Sequence, residues 1–278
     1  MPPMGCALLL LAAIAGPAGA FFEAQVTQTL GSDDYSGTRL SADLGDVVHV
    51  QPAFSFYKSD LAEGTFKTVS ARVAYDAKAW GGGVTMGGSP EVDGYSNRFF
   101  GFDGGWSFSP SGERLSRVEL GAAVVRTTHR DRLQAGRRRR PAVVEIGQTD
   151  VGVNGGVSFL DTLFAAEVTV SSYDKDLEAI QALAAPTTRL AGLNEIVQGF
   201  PRASLNLRAE LAVFPAVEPY VSLTRTTFKL GAPASTGVAA GATVDLEPAR
   251  LHGAIERYSP GGGAAARTFV SFGAGVRF

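Results

Sequence analysis

The sequence predicts an all-β fold, a closed antiparallel transmembrane β-barrel of about 14 strands that are connected as an up-and-down meander. Apolar and polar residues alternate with a period of two along most of the chain, as they do on strands with one apolar and one polar face. No stretch after Ala20 approaches the roughly 18 consecutive apolar residues of a membrane-spanning helix. The length of 278 residues allows one large β domain.

A leader is expected to precede this domain. Ala7 to Ala15 form an unbroken apolar run, and residues 18–20 (Ala-Gly-Ala) supply the small side chains that signal peptidase requires. We therefore expect residues 1–20 to be a signal peptide, although they contain no Lys or Arg, and residues 21–278 to form the barrel. The only cysteine, Cys6, lies in the leader, so disulfides, thiolate metal sites and cysteine nucleophiles are excluded from the mature chain.

The last segment of the chain has the clearest strand pattern. Its even-numbered residues from Ala266 to Phe278 are apolar or threonine, whereas Arg267, Ser271 and Arg277 lie on the other parity. The segment from Arg202 to Val213 alternates in the same way and has Arg, Asn and Glu on its polar face. Charged side chains in mid-strand need water or one another, which favours a barrel with a polar lumen over a soluble sandwich.

The end of this last strand carries a resemblance. It finishes at Phe278, and apolar residues alternate back from it through Val276 and Phe272. This pattern resembles the assembly signal of bacterial outer-membrane β-barrel proteins in general, over about the last dozen residues, and it matches no specific family. The resemblance implies a place in the cell outer membrane of a Gram-negative bacterium and recognition of the last strand by the barrel-assembly machinery.

Turn signals between the alternating segments set the order of the strands. They place strands near residues 22–30, 36–44, 47–57, 66–75, 80–90, 97–109, 114–127, 143–158, 163–175, 200–213, 217–230, 236–246, 249–259 and 265–278. Merging one weak pair would give about 12 strands, which is also an even number, as closed bacterial barrels require. Pro52 interrupts the third strand, as a rim position or a bulge would allow.

The connections between strands are expected to alternate in length. Tight turns alternate with longer polar loops, and the tight turns of such barrels face the periplasm. Both termini then lie on the periplasmic side. The tight turns are Gly45-Asp46, Asp76-Ala77-Lys78, Pro110-Ser111-Gly112, Leu160-Asp161-Thr162, Pro215-Ala216 and Glu247-Pro248.

Glycines within the strands are expected to permit curvature or bulges. Examples are Gly81 to Gly83 and Gly104-Gly105. In the eighth strand, a bulge near Gly147 to Asp150 would explain why the apolar parity changes from Val144 and Ile146 to Val151.

Aromatic residues near the predicted strand ends are expected to form an interfacial girdle, although aromatic residues are also simply common in strands. They are Phe22, Tyr75, Trp80, Phe100, Phe108, Phe159, Phe164, Phe214, Tyr220 and Phe278.

Strand parity places charges of both signs in the lumen. Opposed arginine and carboxylate groups would create a transverse field in a porin-like channel for passive passage of small polar solutes. Alternatively, the charges pair across neighbouring strands and fill the interior of a non-conducting structural or surface-interaction barrel. The lumen-lining residues are predicted to be Glu23, Arg39, Asp43, His49, Arg72, Asp103, Arg117, Glu119, Glu145, Glu167, Arg202, Arg208, Glu210, Asp245, Glu256 and Arg277.

Two connections have compositions that suggest a role. The longest, from Asp176 to Gly199, has apolar spacings typical of two short amphipathic helical turns, and we expect it to constrict or cover the mouth. The loop His129 to Arg140 contains Arg137, Arg138, Arg139 and Arg140. These arginines are predicted to contact lipopolysaccharide phosphates, or else to be a solvated charge run.

Catalysis is the third class of function that the sequence leaves open. Some outer-membrane barrels are lipid hydrolases, but His49, His129 and His252 are in no His-x-Ser arrangement that resembles theirs. No cluster has metal-ligand spacing. We therefore expect no catalytic residues, no metal and no cofactor. The near-neutral charge of −2 gives no sign of nucleic-acid binding.

Overall fold

A computed structural model describes residues 21–59, 64–92, 94–110, 115–133, 142–178, 200–212 and 216–278. They contain 14 β-strands, so the higher of the two predicted strand counts is confirmed. Among these residues, no helix is long and apolar enough to cross a membrane. The strands are β1 (Phe22–Gly31), β2 (Tyr35–Leu44), β3 (Val48–Lys58), β4 (Phe66–Asp76), β5 (Trp80–Val92), β6 (Tyr95–Phe108), β7 (Leu115–Leu133), β8 (Ala142–Phe159), β9 (Thr162–Tyr173), β10 (Pro201–Leu211), β11 (Val217–Phe228), β12 (Ser235–Leu246), β13 (Ala249–Ser259) and β14 (Arg267–Arg277).

Each strand pairs antiparallel with its neighbours in sequence, and β14 returns to pair with β1, which closes the barrel. The seam is regular, because Glu23 pairs with Arg277 and the register continues without a shift to Gly31 and Phe269. Closure leaves no edge strand with unsatisfied backbone groups, which is the condition for a sheet to lie in lipid.

The outer face of the barrel is apolar because one parity of every strand is apolar. Phe102, Leu120 and Val153 are each more than half exposed although they are large and apolar. Equivalent positions on the other strands continue this surface into a band around the barrel. Burial of such a band in hydrocarbon is the main stabilisation available to a transmembrane barrel.

The connections differ partly from the expectation. At the end that holds both termini, the turns within the described residues are short, as predicted. At the opposite end the connection from β9 to β10 is the longest, but only three residues separate β1 from β2 and only two separate β5 from β6. The prediction that tight turns alternate with longer loops was therefore wrong for these two connections.

Aromatic side chains lie on the outer face at the periplasmic end. Tyr75 packs against Trp80 at 5.3 Å between ring centroids, and Trp106 stacks on Phe108 at 4.8 Å. Two predicted members of the girdle lie elsewhere or are not described: Tyr220 is inside the barrel, and Phe214 lies outside the described residues.

The predicted bulge in β8 is absent. β7 and β8 pair in continuous register from Arg117 and Ser158 to the ends of both strands. Glu145 therefore has the same parity as the outward residues Val143 and Val151, and its predicted position in the lumen was wrong. β7 and β8 extend beyond the apolar band at their extracellular ends. Apolar residues in these extensions do not contact lipid, so their parity does not indicate the outer face of the barrel.

Candidate functional site in the barrel lumen

The inner wall of the barrel carries most of the charges predicted for it. Glu145 and Arg202 are the exceptions, since Arg202 lies at a register shift between Pro201 and Ala203 and is exposed there. The other fourteen predicted residues share the inward parity, opposite to that of the exposed apolar residues: Glu23, Arg39, Asp43, His49, Arg72, Asp103, Arg117, Glu119, Glu167, Arg208, Glu210, Asp245, Glu256 and Arg277.

A network of polar contacts runs along the inner wall from β2 to β6. Arg72 forms two hydrogen bonds with Asp103, at 3.0 Å from Nε and 2.6 Å from Nη2, and a third at 2.9 Å with Gln51. Gln51 donates to Asp43, which also contacts His49 at 2.9 Å. The network therefore pairs the arginine with a carboxylate and holds these side chains against the wall.

Further luminal charges pair with near neighbours. Arg208 contacts Glu210 at 2.6 Å and lies over the ring of Tyr220, with 3.9 Å between its Cζ and the ring centroid. Arg277 contacts Asp245 at 3.1 Å across β13. These pairs agree with the structural alternative, in which charges neutralise one another along the wall.

Two luminal charged residues, Arg39 and Glu167, differ from these pairs in their contacts. Neither forms an ion pair or hydrogen bond with another described residue. Arg39 lies between Thr27 and Ser55 of the neighbouring strands, and Glu167 lies between Asn154 and Asn206. Because the residues beside them on the neighbouring strands are uncharged, those residues do not neutralise the charges that Arg39 and Glu167 present to the lumen.

The two residues also face each other across the barrel. In the closed order of 14 strands, β2 and β9 have equal numbers of strands between them in both directions, so they lie diametrically opposite. Arg39 is five residues from Leu44 at the periplasmic end of β2, and Glu167 is five residues from Thr162 at the periplasmic end of β9. A guanidinium and a carboxylate therefore oppose each other at the same strand position.

A cavity of about 370 Å³ lies beside this position. Glu23, Arg39, Asp43, Gln51 and Arg72 are among its lining residues, so its wall carries charges of both signs beside apolar groups such as Pro52 and Ala53. A space that contains such charges suits hydrophilic solutes better than lipid chains.

The extracellular part of the lumen has a different lining. Six buried aromatic side chains from β2, β3, β4, β6, β13 and β14 form one cluster, which we call the aromatic collar: Tyr35, Tyr57, Phe66, Tyr95, Tyr258 and Phe269. Tyr57 stacks on Phe66 at 5.1 Å, and Tyr35 meets Phe269 edge to face at 5.5 Å. The collar narrows this side of the lumen above the polar cavity.

The aromatic collar was not predicted, although the sequence contains a pattern that indicates it. Tyr35, Tyr57 and Tyr258 have the same parity as the luminal charges of their strands and lie at the extracellular strand ends. Aromatic residues at strand ends were predicted to lie at the lipid interface. Strand parity distinguishes those that line the lumen, as the collar does, from those on the outer face.

A second apolar cluster holds the two ends of the longest loop. Leu177 and Phe200, which are 6% and 5% exposed, pack with Ile146 on the inner side of the mouth. Tyr173 also donates a hydrogen bond to the carbonyl of Pro201. Both ends of the loop are thus fixed inside the barrel rim, whereas residues 179–199, for which helical turns and a constriction were predicted, lie outside the described residues.

Glycines on the inner wall make room for large side chains. A Cβ at Gly83 would lie 2.8 Å from Nε of Arg72, and one at Gly273 would collide with the ring of His252. The expected bulges are absent at the first site, since Gly81, Gly82 and Gly83 pair in regular register with β6. Here glycine permits side chains of one strand to reach across the next.

The three histidines contact groups other than serine hydroxyls within the described residues. His49 contacts Asp43 and the carbonyl of Asp46, and His252 contacts Gln25 and Thr27. His129 is buried between Tyr95 and Gln148. In the same part of the chain, no three His, Cys, Asp or Glu side chains are grouped as a metal site would require.

The chain matches no known protein family model, and no curated protein is detectably similar to it in sequence. Solved structures share its fold. CdiB from Acinetobacter baumannii has a TM-score of 0.53 and 9% identity over 93% of this chain, which spans 60% of the length of CdiB. OmpT, an outer membrane protein of Vibrio cholerae, has a TM-score of 0.50 and 12% identity over 95% of this chain and 100% of its own. OprD of Pseudomonas aeruginosa has a TM-score of 0.47 and 10% identity over 93% and 94%.

At these identities the likeness concerns the fold alone. Together with the closed sheet and its apolar outer band, it defines a transmembrane β-barrel of the outer-membrane type. The chain is located in the cell outer membrane, because only a membrane can cover so many exposed apolar side chains in such a band.

Proposed function

We propose that this barrel is a passive channel for small polar solutes. The observation that carries the proposal is the opposition of Arg39 and Glu167, which lie on diametrically opposite strands without ion-pair partners among the described residues. A cation and an anion on facing walls, neither of them in an ion pair with another described residue, produce a field across the lumen. Such a field orients polar solutes and disfavours apolar ones.

Single-channel recording on the refolded chain in planar bilayers tests this proposal. We expect ion-conducting steps, with Arg39→Gln shifting the reversal potential in a salt gradient towards cation preference and Glu167→Gln shifting it towards anion preference. The control is Arg208→Gln with Glu210→Gln, which removes one positive and one negative luminal charge that already neutralise each other in an ion pair. Selectivity that changes as much in the control as in the single variants would contradict the role of the opposed pair.

A non-conducting structural or surface-interaction barrel is the second candidate. The aromatic collar favours it, because six buried rings in the outer part of the lumen reduce the open cross-section. Properly folded protein that never yields conducting steps would establish this alternative. Removing Glu178 to Glu195 should raise the conductance if the long loop constricts the mouth; unchanged conductance would eliminate that constriction.

A lipid hydrolase is the third candidate. It would need a histidine in hydrogen-bond reach of a serine hydroxyl, and within the described residues the three histidines contact other groups. Lipase activity lost on replacing one histidine and one serine would reverse this view.

The last strand is also the proposed contact for the barrel-assembly machinery. Phe272 is directed outwards and Phe278 is two-thirds exposed beside the seam, where Phe22 and Phe278 exchange two backbone hydrogen bonds. Replacing Phe278 by Ser should lower the amount of assembled barrel in the outer membrane, and an unchanged amount would argue against this contact.

A further inference from the structure

Among the described strands, outward-directed basic residues lie only towards the extracellular end of the barrel. Eight exposed Lys and Arg side chains occur there, at strand positions that share the outward parity of the apolar band. We call them the basic girdle: Lys58, Lys67, Arg98, Arg126, Arg130, Arg132, Arg225 and Arg257. In the periplasmic half, the outward positions of the described strands carry no Lys or Arg.

The strand register places the girdle at the border of the apolar band. Arg126 is directly opposite Phe100, Arg225 is opposite Leu205, and Arg257 is opposite Val238. All three of these apolar partners are exposed to the outside. The basic side chains therefore begin where the lipid-facing surface ends, the position from which Lys and Arg extend to the headgroups of a lipid.

Acidic groups neutralise only part of the girdle. Arg126 contacts Asp174 at 2.7 Å, and Arg132 contacts Glu91 at 3.1 Å. Glu145 lies opposite Arg130 on β8, but the pair is not in ion-pair contact.

The remaining basic residues have no such partner. Among the described residues, Lys58, Lys67, Arg98, Arg225 and Arg257 form no ion pair with a carboxylate. The outward face of the barrel thus keeps an excess of positive charge just above the hydrocarbon boundary.

We propose that the basic girdle binds the phosphate groups of lipopolysaccharide in the outer leaflet. The ligand must be anionic, must lie at the top of the hydrocarbon layer and must be present on one side of the membrane only, because the girdle has no counterpart on the periplasmic side of the described strands. Guanidinium groups recognise phosphate through paired hydrogen bonds, which favours a phosphorylated lipid over a carboxylated one. Arg137 to Arg140, which lie outside the described residues, were predicted to make the same contact from the adjoining loop.

Retention of lipopolysaccharide by the full chain tests the proposal. The variant Arg98→Ser, Arg130→Ser, Arg225→Ser and Arg257→Ser removes four girdle charges from four different strands of the barrel wall. Purified lipopolysaccharide is titrated onto wild type and variant in detergent. Since each basic residue near an anionic lipid surface contributes about 1 kcal/mol, we expect the affinity to fall by at least about tenfold.

The matched control is Arg39→Ser, Arg117→Ser, Arg208→Ser and Arg250→Ser, which removes four luminal charges and should leave the affinity unchanged. Heat-modifiable gel migration establishes that both variants are folded. If either quadruple variant does not fold, the double variant Arg98→Ser with Arg225→Ser is compared with Arg39→Ser with Arg208→Ser.

Two further titrations decide the ligand. Lipopolysaccharide from which the phosphates have been removed should bind wild type as weakly as the intact lipid binds the girdle variant. Equal losses in the girdle and luminal variants, no loss in the girdle variant, or the same loss on phosphatidylglycerol vesicles would each overturn the proposal. These outcomes are independent of whether the barrel conducts.

Discussion

Arg72 of β4 reaches across Gly83 of β5 and holds Asp103 of β6 with two hydrogen bonds, at 3.0 and 2.6 Å. The ion pair thus joins strands that are not neighbours in the sheet. This is feasible because the inner face of a barrel is concave and because Gly83 has no side chain in the way. The glycine and the ion pair form one structural unit.

Replacing Gly83 by Val should therefore break the contact between Arg72 and Asp103. A Cβ at Gly83 would lie 2.8 to 2.9 Å from the guanidinium atoms, which must move away. Both partners are partly exposed, so we expect a loss of about 1 kcal/mol in the free energy of unfolding. Urea titration of the refolded barrel in lipid vesicles measures it.

The control for this experiment is Gly104→Ala on the outer face, where the added Cβ meets only Gly81 at an ordinary 3.6 Å. Equal destabilisation by both substitutions would mean that backbone entropy of the glycines, rather than the space for Arg72, is responsible.

The same substitution by arginine should destabilise the barrel very differently at two adjacent residues of β9. Val168 is directed to the lipid, whereas Thr169 is directed to the lumen. Val168→Arg should cost about 2–4 kcal/mol of folding free energy in a bilayer, as charged residues do on the lipid face of such barrels. Thr169→Arg should cost much less, because water or Glu167 can solvate it. Similar costs in vesicle-based unfolding titrations would contradict the assignment of the two faces.

The cluster of Leu177, Ile146 and Phe200 should fix both ends of the long loop. Phe200→Ala removes a buried ring and should weaken this anchor by about 3 kcal/mol. We expect faster cleavage by trypsin at Arg189 within the loop. Phe200→Leu keeps most of the apolar contact and should stay close to the wild-type rate. Identical cleavage rates for Phe200→Ala and wild type would show that the cluster does not hold the loop.

Asp174 should make the start of this loop sensitive to acid. Partial burial opposes ionisation of its carboxyl group, but the backbone N–H of Gly147 and the guanidinium of Arg126 outweigh that effect and hold the pKa of Asp174 below its ordinary value of 3.8. A carboxylate whose pKa is lowered on folding stabilises the folded state above its ordinary pKa, and this contribution is lost as the pH falls through the lower folded-state value.

Hydrogen exchange at Gly147 measures this effect. Asp174→Asn should exchange faster than wild type at neutral pH, and the difference should disappear once the pH is well below 3.8. A difference that persists unchanged at the acidic end would indicate that the carboxylate charge is not responsible.

The strands were predictable from sequence because a single rule governs them. In the bilayer, each strand must present apolar residues to lipid, so the period of two marks β9 or β14 without knowledge of its neighbours. The rule fails in β8, where Val144 and Ile146 lie beyond the lipid. Ile146 is directed inwards to pack on Phe200, and Glu145 is therefore directed outwards.

Contacts between strands were less predictable. That Arg39 and Glu167 oppose each other depends on the number of strands and on closure, which no single segment encodes. The contact of Arg72 with Asp103 likewise depends on Gly83, a residue on the strand between them. A sequence pattern gives the face on which a side chain lies, whereas its partners follow from the curvature of the wall.

The regular pairing of β1 with β14 also makes the last strand necessary for closure. Almost the whole polypeptide separates Phe22 from its hydrogen-bonded partner Phe278, so this contact has the highest entropic cost of any in the molecule. Every other pairing joins strands that are consecutive in the chain and can form as hairpins. Until β14 pairs with it, β1 remains an open template for a foreign strand, and a chain truncated before Arg267 should aggregate rather than close.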